Sequence, residues 1–177
     1  MEKIILVDEQ DKEIGTIEKM EAHEKALLHR AFSVFIFNSQ GLMLLQQRAF
    51  SKYHSGGLWT NACCSHPRAG EETADAAKRR LQEEMGFTTP IQKIFDFVYK
   101  APFANGLTEH EFDHVFAGIY NGTVHKCDDE VEDYTWQPME VILQHTSQHP
   151  AQYTAWFLIA FPKVYQWWQR NHTNLTA

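Results

Sequence analysis

The fold class that the sequence predicts is α/β (α+β), a mixed β-sheet covered by helices on both sides, and three features point to it. Short apolar runs bounded by polar turns recur through the first half. One segment, Thr73–Met85, carries helical periodicity and a natural stop. A long apolar and aromatic stretch near the end has helical length. Packing helices against both faces of a sheet buries such a mixture. At 177 residues, without a linker, repeat or low-complexity tract, residues 1–177 read as one domain.

Taken in order, residues 4–7 and 14–18 are short strands around the polar turn Asp8-Glu9-Gln10-Asp11-Lys12. Residues 31–38 and 42–48 are expected to pair as a hairpin through Asn38-Ser39-Gln40-Gly41. Residues 49–58 form a loop with Gly56-Gly57, and a strand begins at Trp59. In the helix Thr73–Met85, Thr73 is the expected cap, Ala74, Ala77 and Leu81 mark the apolar stripe, and Gly86 ends it. Residues 91–99 and 109–120 are longer strands joined by a loop with Asn105-Gly106, and Val131–Gln137 is the last strand. A helix starts over 139–144, and 153–170 form a terminal helix that Pro162 should kink or interrupt.

The hydrophobic content of 44 % supports a substantial core, and no run reaches the roughly 18 apolar residues of a membrane span. The first residues lack the layout of a secretion signal. Three cysteines, Cys63 and Cys64 adjacent, make a poor disulfide framework and indicate a reducing compartment, the cytoplasm. A net charge of −7 argues against nucleic acid or an anionic membrane as partner. A phosphate-bearing substrate would need a local basic pocket.

Three observations carry chemistry. On a strand, Glu109, Glu111 and Asp113 share a face that continues through Val115, Ala117 and Ile119. An exposed edge strand would simply solvate those acids. Buried, they must be neutralised, paired or bound to a metal. His23, His29 and His66, drawn from ten histidines, could complete a centre for zinc, manganese or iron, although singly each reads more readily as a surface or capping residue. Glu83 and Glu84 stand in the last turn of the helix, where the dipole disfavours negative charge. Arg80 and Glu84 share a face, either as an ordinary surface ion pair or as a magnesium ligand beside a phosphate-binding arginine.

The segment Thr60-Asn61-Ala62-Cys63-Cys64-Ser65-His66-Pro67 resembles the signature of the type I isopentenyl-diphosphate isomerases. Leu28-His29-Arg30-Ala31-Phe32-Ser33, Arg48-Ala49-Phe50-Ser51-Lys52 and Glu109-His110-Glu111 resemble the same family, in matching order over about residues 3–156. Arg79-Arg80-Leu81-Gln82-Glu83-Glu84-Met85-Gly86 is similar to the Nudix box, whose fold that family shares. Nudix hydrolases carry Arg-Glu where this chain has Arg79-Arg80, a change that suits binding a diphosphate without hydrolysing it.

The resemblance implies a small-molecule isoprenoid diphosphate substrate and one divalent metal, zinc or manganese, on His23, His29, His66, Glu109 and Glu111. It implies a magnesium ion entering with the diphosphate and held by Glu84, with Lys19, Arg48, Lys52 and Arg80 on the phosphate oxygens. Cys64 and Glu111 are the expected acid/base pair, Tyr99 supports Glu111, and Trp156 lines the hydrocarbon pocket of a monomer or weak homodimer. The favoured direction makes Glu111, with Tyr99, the acid and Cys64 the base, with the reverse left open. Cys63 and Cys127 are expected as packing thiols. Two departures from the family pattern are a His23 to His29 spacing one residue shorter than in some relatives, and Ala155 where proline often precedes the tryptophan. The competing readings are a Nudix hydrolase, a structural metal protein and a cysteine hydrolase.

Overall fold

The computed structural model describes residues 2–175. In order it contains β1 (Lys3–Val7), β2 (Glu13–Glu18), α1 (Lys19–Glu24), β3 (His29–Phe37), β4 (Met43–Arg48), β5 (Trp59–Thr60) and β6 (Cys63–Ser65). There follow α2 (Thr73–Met85), β7 (Ile91–Pro102), β8 (Thr108–Ile119), β9 (Val131–Gln137), α3 (Met139–Gln148) and α4 (Ala155–Leu175). The strands form one mixed sheet between two helical layers.

β3 lies at the centre, and its composition explains why. Eight of its nine residues are buried, so both faces are covered and the strand reads as a continuous apolar run. Phe32, Val34 and Ile36 pack towards Ala76, Ala77, Leu81 and Met85 of α2. Phe35 and Phe37 turn to the opposite layer, against Ile142 of α3 and Phe157, Ala160, Phe161 and Val164 of α4. Period-2 alternation on one strand thus feeds two cores.

The expected hairpin of 31–38 with 42–48 is not formed as such. β3 and β4 pair only at Phe37↔Met43, beside a turn in which Asn38 Oδ1 accepts from the N–H groups of Gln40 and Leu42. Beyond that point β3 runs parallel to β8, from His29↔Glu111 to Phe37↔Ile119, and antiparallel to β6. β4 pairs instead with β9 and β5. The turn chemistry was right, but a doubly buried strand takes the partners that cover both its edges.

Three other expectations change at element ends. Thr73 is the first helical residue of α2, and its N-cap is Glu72, which makes no side-chain capping bond. α4 begins at Ala155 and continues past 170, and Pro162 does not interrupt it. Pro162 faces solvent, where water can satisfy the carbonyl that loses its partner, while Phe157, Phe161 and Val164 anchor both halves in the core. The short helix α1 was not foreseen. Its N-cap is Glu18, whose carboxylate accepts from the Glu21 N–H at 3.0 Å.

Gly86 does end α2, at φ +74°, with its N–H donating to the Gln82 carbonyl at 3.1 Å. A Cβ there would stand 2.2 Å from the His125 carbonyl oxygen. Gly86→Ala is expected to destabilise the fold by at least about 1–2 kcal/mol, the cost of a left-handed non-glycine residue. Urea denaturation checks this, and an unchanged midpoint would contradict the account.

Candidate active site

The site is built at the ends of β3, β6, β7 and β8 by strand register. Glu111 stands opposite His29 on one side and Tyr99 on the other, and Cys64 stands opposite Ser33. Residues opposite one another point to the same face. One rung of the sheet therefore sets Tyr99, Glu111 and His29 side by side.

His23 comes from α1 and His66 from just after β6, and both are buried with His29 and Glu111. The Nδ1 atoms of His23 and His29 donate to the carbonyls of Lys19 and Leu27, at 2.7 and 2.8 Å. Because a carbonyl only accepts, each ring carries its proton on Nδ1 and presents the Nε2 lone pair inward. Both Nε2 atoms are buried without a hydrogen-bond partner among the described residues. The Nε2 of His29 faces Glu111 Oε1 at 3.6 Å, and that of His66 lies 2.9 Å from the same oxygen.

His66 Nε2 can donate to Glu111, but the inward lone pairs of His23 and His29 meet no donor, and a cation between them and the carboxylate would satisfy them. Burial first of all lowers the His23 imidazole and pushes His66 down to about 3, so these rings stay neutral, which is the ligand form. Burial alone would raise the Glu111 carboxyl, but His29 and His66 against it more than offset that and hold it well below the ordinary range. The ligand atoms of His23, His29, His66 and Glu111 lie within 4.8 Å of one another. This donor set fits a divalent ion.

Glu109, the fifth expected ligand, does not join that group of four. It is grouped with His23 and His54. Its Oε2 lies 2.9 Å from the Tyr99 hydroxyl, which also reaches Glu111 Oε2 at 2.6 Å. Its Oε1 lies 3.1 Å from His54 Nε2. Burial, then the charge of Glu111, raises the Glu109 carboxyl, the usual outcome for two buried carboxylates side by side.

Cys64 is held from three sides. Its thiol donates to Asn61 Oδ1 at 3.0 Å, its sulfur accepts from Trp156 Nε1 at 3.1 Å, and Ser33 Oγ lies 3.4 Å away. Ser33 itself donates to Asp113 Oδ2 at 2.7 Å. Burial, and then Asp113, pushes the Cys64 thiol well up. The resting group is therefore a thiol, not the thiolate that the favoured direction starts from. Cys63 is fully buried in the core under α2.

Cations line the same cleft. Glu84 is buried, with Oε1 2.7 Å from Arg80 and Oε2 accepting from Gln46 Nε2 at 2.9 Å, so it is no surface ion pair. Arg80 also meets Glu83 and Glu130, Lys52 pairs with Glu130, and Lys19 lies 3.4 Å from Glu2. The guanidinium of Arg48 sits over the Trp156 ring, 5.2 Å from its centroid. His23 and His29 lie behind the cleft, and the other expected site residues line it.

The profile of the NUDIX domain matches residues 27–157. The isopentenyl-diphosphate Delta-isomerase of Serratia proteamaculans is 51 % identical over 157 residues, covering 89 % of this chain and 88 % of that protein. The enzyme of that name from Pectobacterium atrosepticum is 49 % identical, covering 94 % and 93 %. This chain belongs to the isopentenyl-diphosphate Delta-isomerases, within the Nudix family. Among solved structures, DR0079 of Deinococcus radiodurans superposes with a TM-score of 0.69 at 21 % identity, over 84 % of this chain and 90 % of that one. The MutT protein of Methanosarcina mazei gives 0.64 at 20 %, over 77 % and 91 %. These two likenesses concern the Nudix fold alone.

Sequence reasoning missed four side chains that shape this isomerase-family site: His54, Asn61, Ser33 and Gln46. Asn61 and Ser33 lay inside the signature segments but carry no charge to draw notice. His54 sits in the 49–58 loop, whose path no periodicity reveals. The divalent-metal reading predicts a stabilising ligand. Adding zinc or manganese to chelator-stripped protein at 100 times Kd should stabilise it by about 2.7 kcal/mol. Thermal melts check this, with the gain lost in His29→Ala. An unchanged melting temperature in the unsubstituted protein would contradict it.

Proposed function

We propose that the cleft interconverts isopentenyl and dimethylallyl diphosphate by moving a proton across the five-carbon unit between Cys64 and Glu111. The relatives bearing that enzyme name cover nearly the whole chain. The observation that carries the reading is that one cleft holds a protonated thiol, an ionised carboxylate bonded to a tyrosine hydroxyl, and a cluster of cations. The cations bind the diphosphate and fix the register of the alkene between the two proton-transfer groups.

The chemistry balances as one proton in and one proton out. The acid adds a proton to the terminal methylene, and the alkene pair becomes the new C–H bond, leaving a tertiary cation. The base takes a proton from the carbon next to the oxygen-bearing one, and that C–H pair becomes the new double bond. In the resting state the proton is on Cys64 and absent from Glu111, so Cys64 donates and Glu111 accepts. The return direction starts with the proton on the Glu111 and Tyr99 side. The reversible reaction thus uses both assignments that the sequence left open.

Asn61 and Trp156 aim the thiol, since both bond its sulfur. Trp156 is an electron-rich, poorly nucleophilic surface for the cation, a contact worth up to about 2 kcal/mol when desolvated. Arg48 already rests over that ring, which marks it as cation-accepting. The aromatic walls exclude water, which would otherwise capture the cation as an alcohol.

The divalent ion of the His/Glu centre, zinc or manganese, supplies charge that keeps Glu111 ionised and fixed. Glu84 holds a magnesium ion that arrives with the diphosphate, and Lys19, Arg48, Lys52 and Arg80 take the phosphate oxygens. Free thiols suit a reducing cytoplasm, and among the described residues no helix is long and apolar enough to cross a membrane. One chain supplies every group the reaction uses, which suits a monomer or weak homodimer.

Proton NMR of the metal-loaded protein with isopentenyl diphosphate and magnesium in deuterated water tests this. Deuterium should enter the new methyl group of dimethylallyl diphosphate. Cys64→Ala and Glu111→Gln should each lower kcat by about 100-fold or more, the usual contribution of a positioned acid or base. Near-normal turnover by either variant, or release of phosphate in place of isomerisation, would overturn the proposal.

A further inference from the structure

The imidazoles of His23 and His29 are built to one plan: Nδ1 engaged, Nε2 buried, turned inward and without a hydrogen-bond partner. His54 shares the buried, inward Nε2, although the reaction described above makes no use of it. Its Nδ1 lies 3.2 Å from Ser55 Oγ, and Phe103 stacks on its ring at 4.5 Å between centroids. Tyr53 and Trp156 pack edge-on to the ring, leaving the side chain 2 % exposed. Its Nε2 ends 3.1 Å from Glu109 Oε1 and makes no aligned hydrogen bond. Ser55 Oγ can donate to Nδ1 or accept from it, so Nε2 either faces Glu109 with a proton or offers it a lone pair, and the second arrangement is costly unless a cation lies between them.

His23, His54 and Glu109 present ligand atoms within 4.8 Å of one another, as do His23, His29, His66 and Glu111. His23 belongs to both groups. Its Nδ1 is committed to the Lys19 carbonyl, so only Nε2 is free, and one imidazole nitrogen binds one ion. Two ions cannot both be held by these groups. A single centre would join both groups through the shared His23.

We infer that His54 is a sixth protein ligand of a single divalent ion, alongside His23, His29, His66, Glu109 and Glu111. This rests on the reading of the cluster as a divalent-metal centre. Four imidazoles and two carboxylates form a six-donor set, which suits manganese or iron better than four-coordinate zinc. A sphere filled by protein keeps water off the ion, beside a cleft where water would destroy the intermediate. The ligand also lies in the loop that carries Lys52, and its carbonyl accepts from Arg48 at 3.3 Å. Metal occupancy therefore fixes the loop that presents two of the diphosphate-binding cations.

The test titrates manganese(II) into chelator-stripped full-length protein by calorimetry and records electron paramagnetic resonance of the bound ion. Unsubstituted protein, His54→Ala and His54→Gln are compared, after their stripped forms are shown to have matching circular dichroism. The unsubstituted protein should bind one ion. Both variants should bind it about tenfold or more weakly, with an altered resonance spectrum. Free imidazole should restore affinity to His54→Ala. The glutamine amide can still donate a hydrogen bond to Glu109, so it separates a ligand from a mere neighbour. Unaltered affinity and spectrum in His54→Gln would overturn the inference and leave the metal centre standing. Failure of the unsubstituted protein to bind manganese would overturn the metal reading and the inference together.

Discussion

Two carboxylates on one face of β8, Glu109 and Glu111, are buried where carboxylates are expensive, and the active end of the fold is organised around that fact. Desolvating even one such charge costs several kcal/mol, and placing a second beside it adds repulsion. The chain answers with imidazoles from four separate segments, His23, His29, His54 and His66, and a tyrosine hydroxyl that reaches both acids. Those segments must then be held in place. Register does this for His29 and Tyr99, and a capped single-turn helix does it for His23.

The same economy of charge extends through the cleft. The chain has a net charge of −7, and three cations of the cleft, Lys19, Lys52 and Arg80, each rest against an acid. Arg80 and Glu84 are the telling pair. A buried glutamate at the end of a helix opposes the dipole, and the arginine one turn back makes it tolerable. Replacing the arginine with glutamate, as in the hydrolase pattern, would set a fourth acid beside Glu83, Glu84 and Glu130.

Much of this was legible in the sequence because it follows short periodicities. Alternation placed Glu109, Glu111 and Asp113 on one face, and the helix Thr73–Met85 was bounded correctly because Gly86 supplies the left-handed turn. Family resemblance then named residues that the fold gathers into one cleft. What stayed hidden was long-range. The partners of β3 depend on both its edges being buried, not on the turn that follows it. His54 is placed from an irregular loop by stacking on Phe103, distant in sequence, and no local pattern encodes such a contact. Protonation was hidden too, because the Cys64 thiol owes its high affinity for a proton to burial rather than to its sequence neighbours.

The central claim is that a cation sits between Glu111 and the inward Nε2 lone pairs of His23 and His29, which no donor meets. Anomalous diffraction from crystals of the metal-loaded protein, collected across the absorption edge of the metal supplied, tests it most directly. The account predicts a single strong peak within bonding distance of the Nε2 atoms of His23 and His29 and of Glu111 Oε1. A difference map without a peak there, with His66 and Glu111 still in direct contact at full metal occupancy elsewhere, would contradict it.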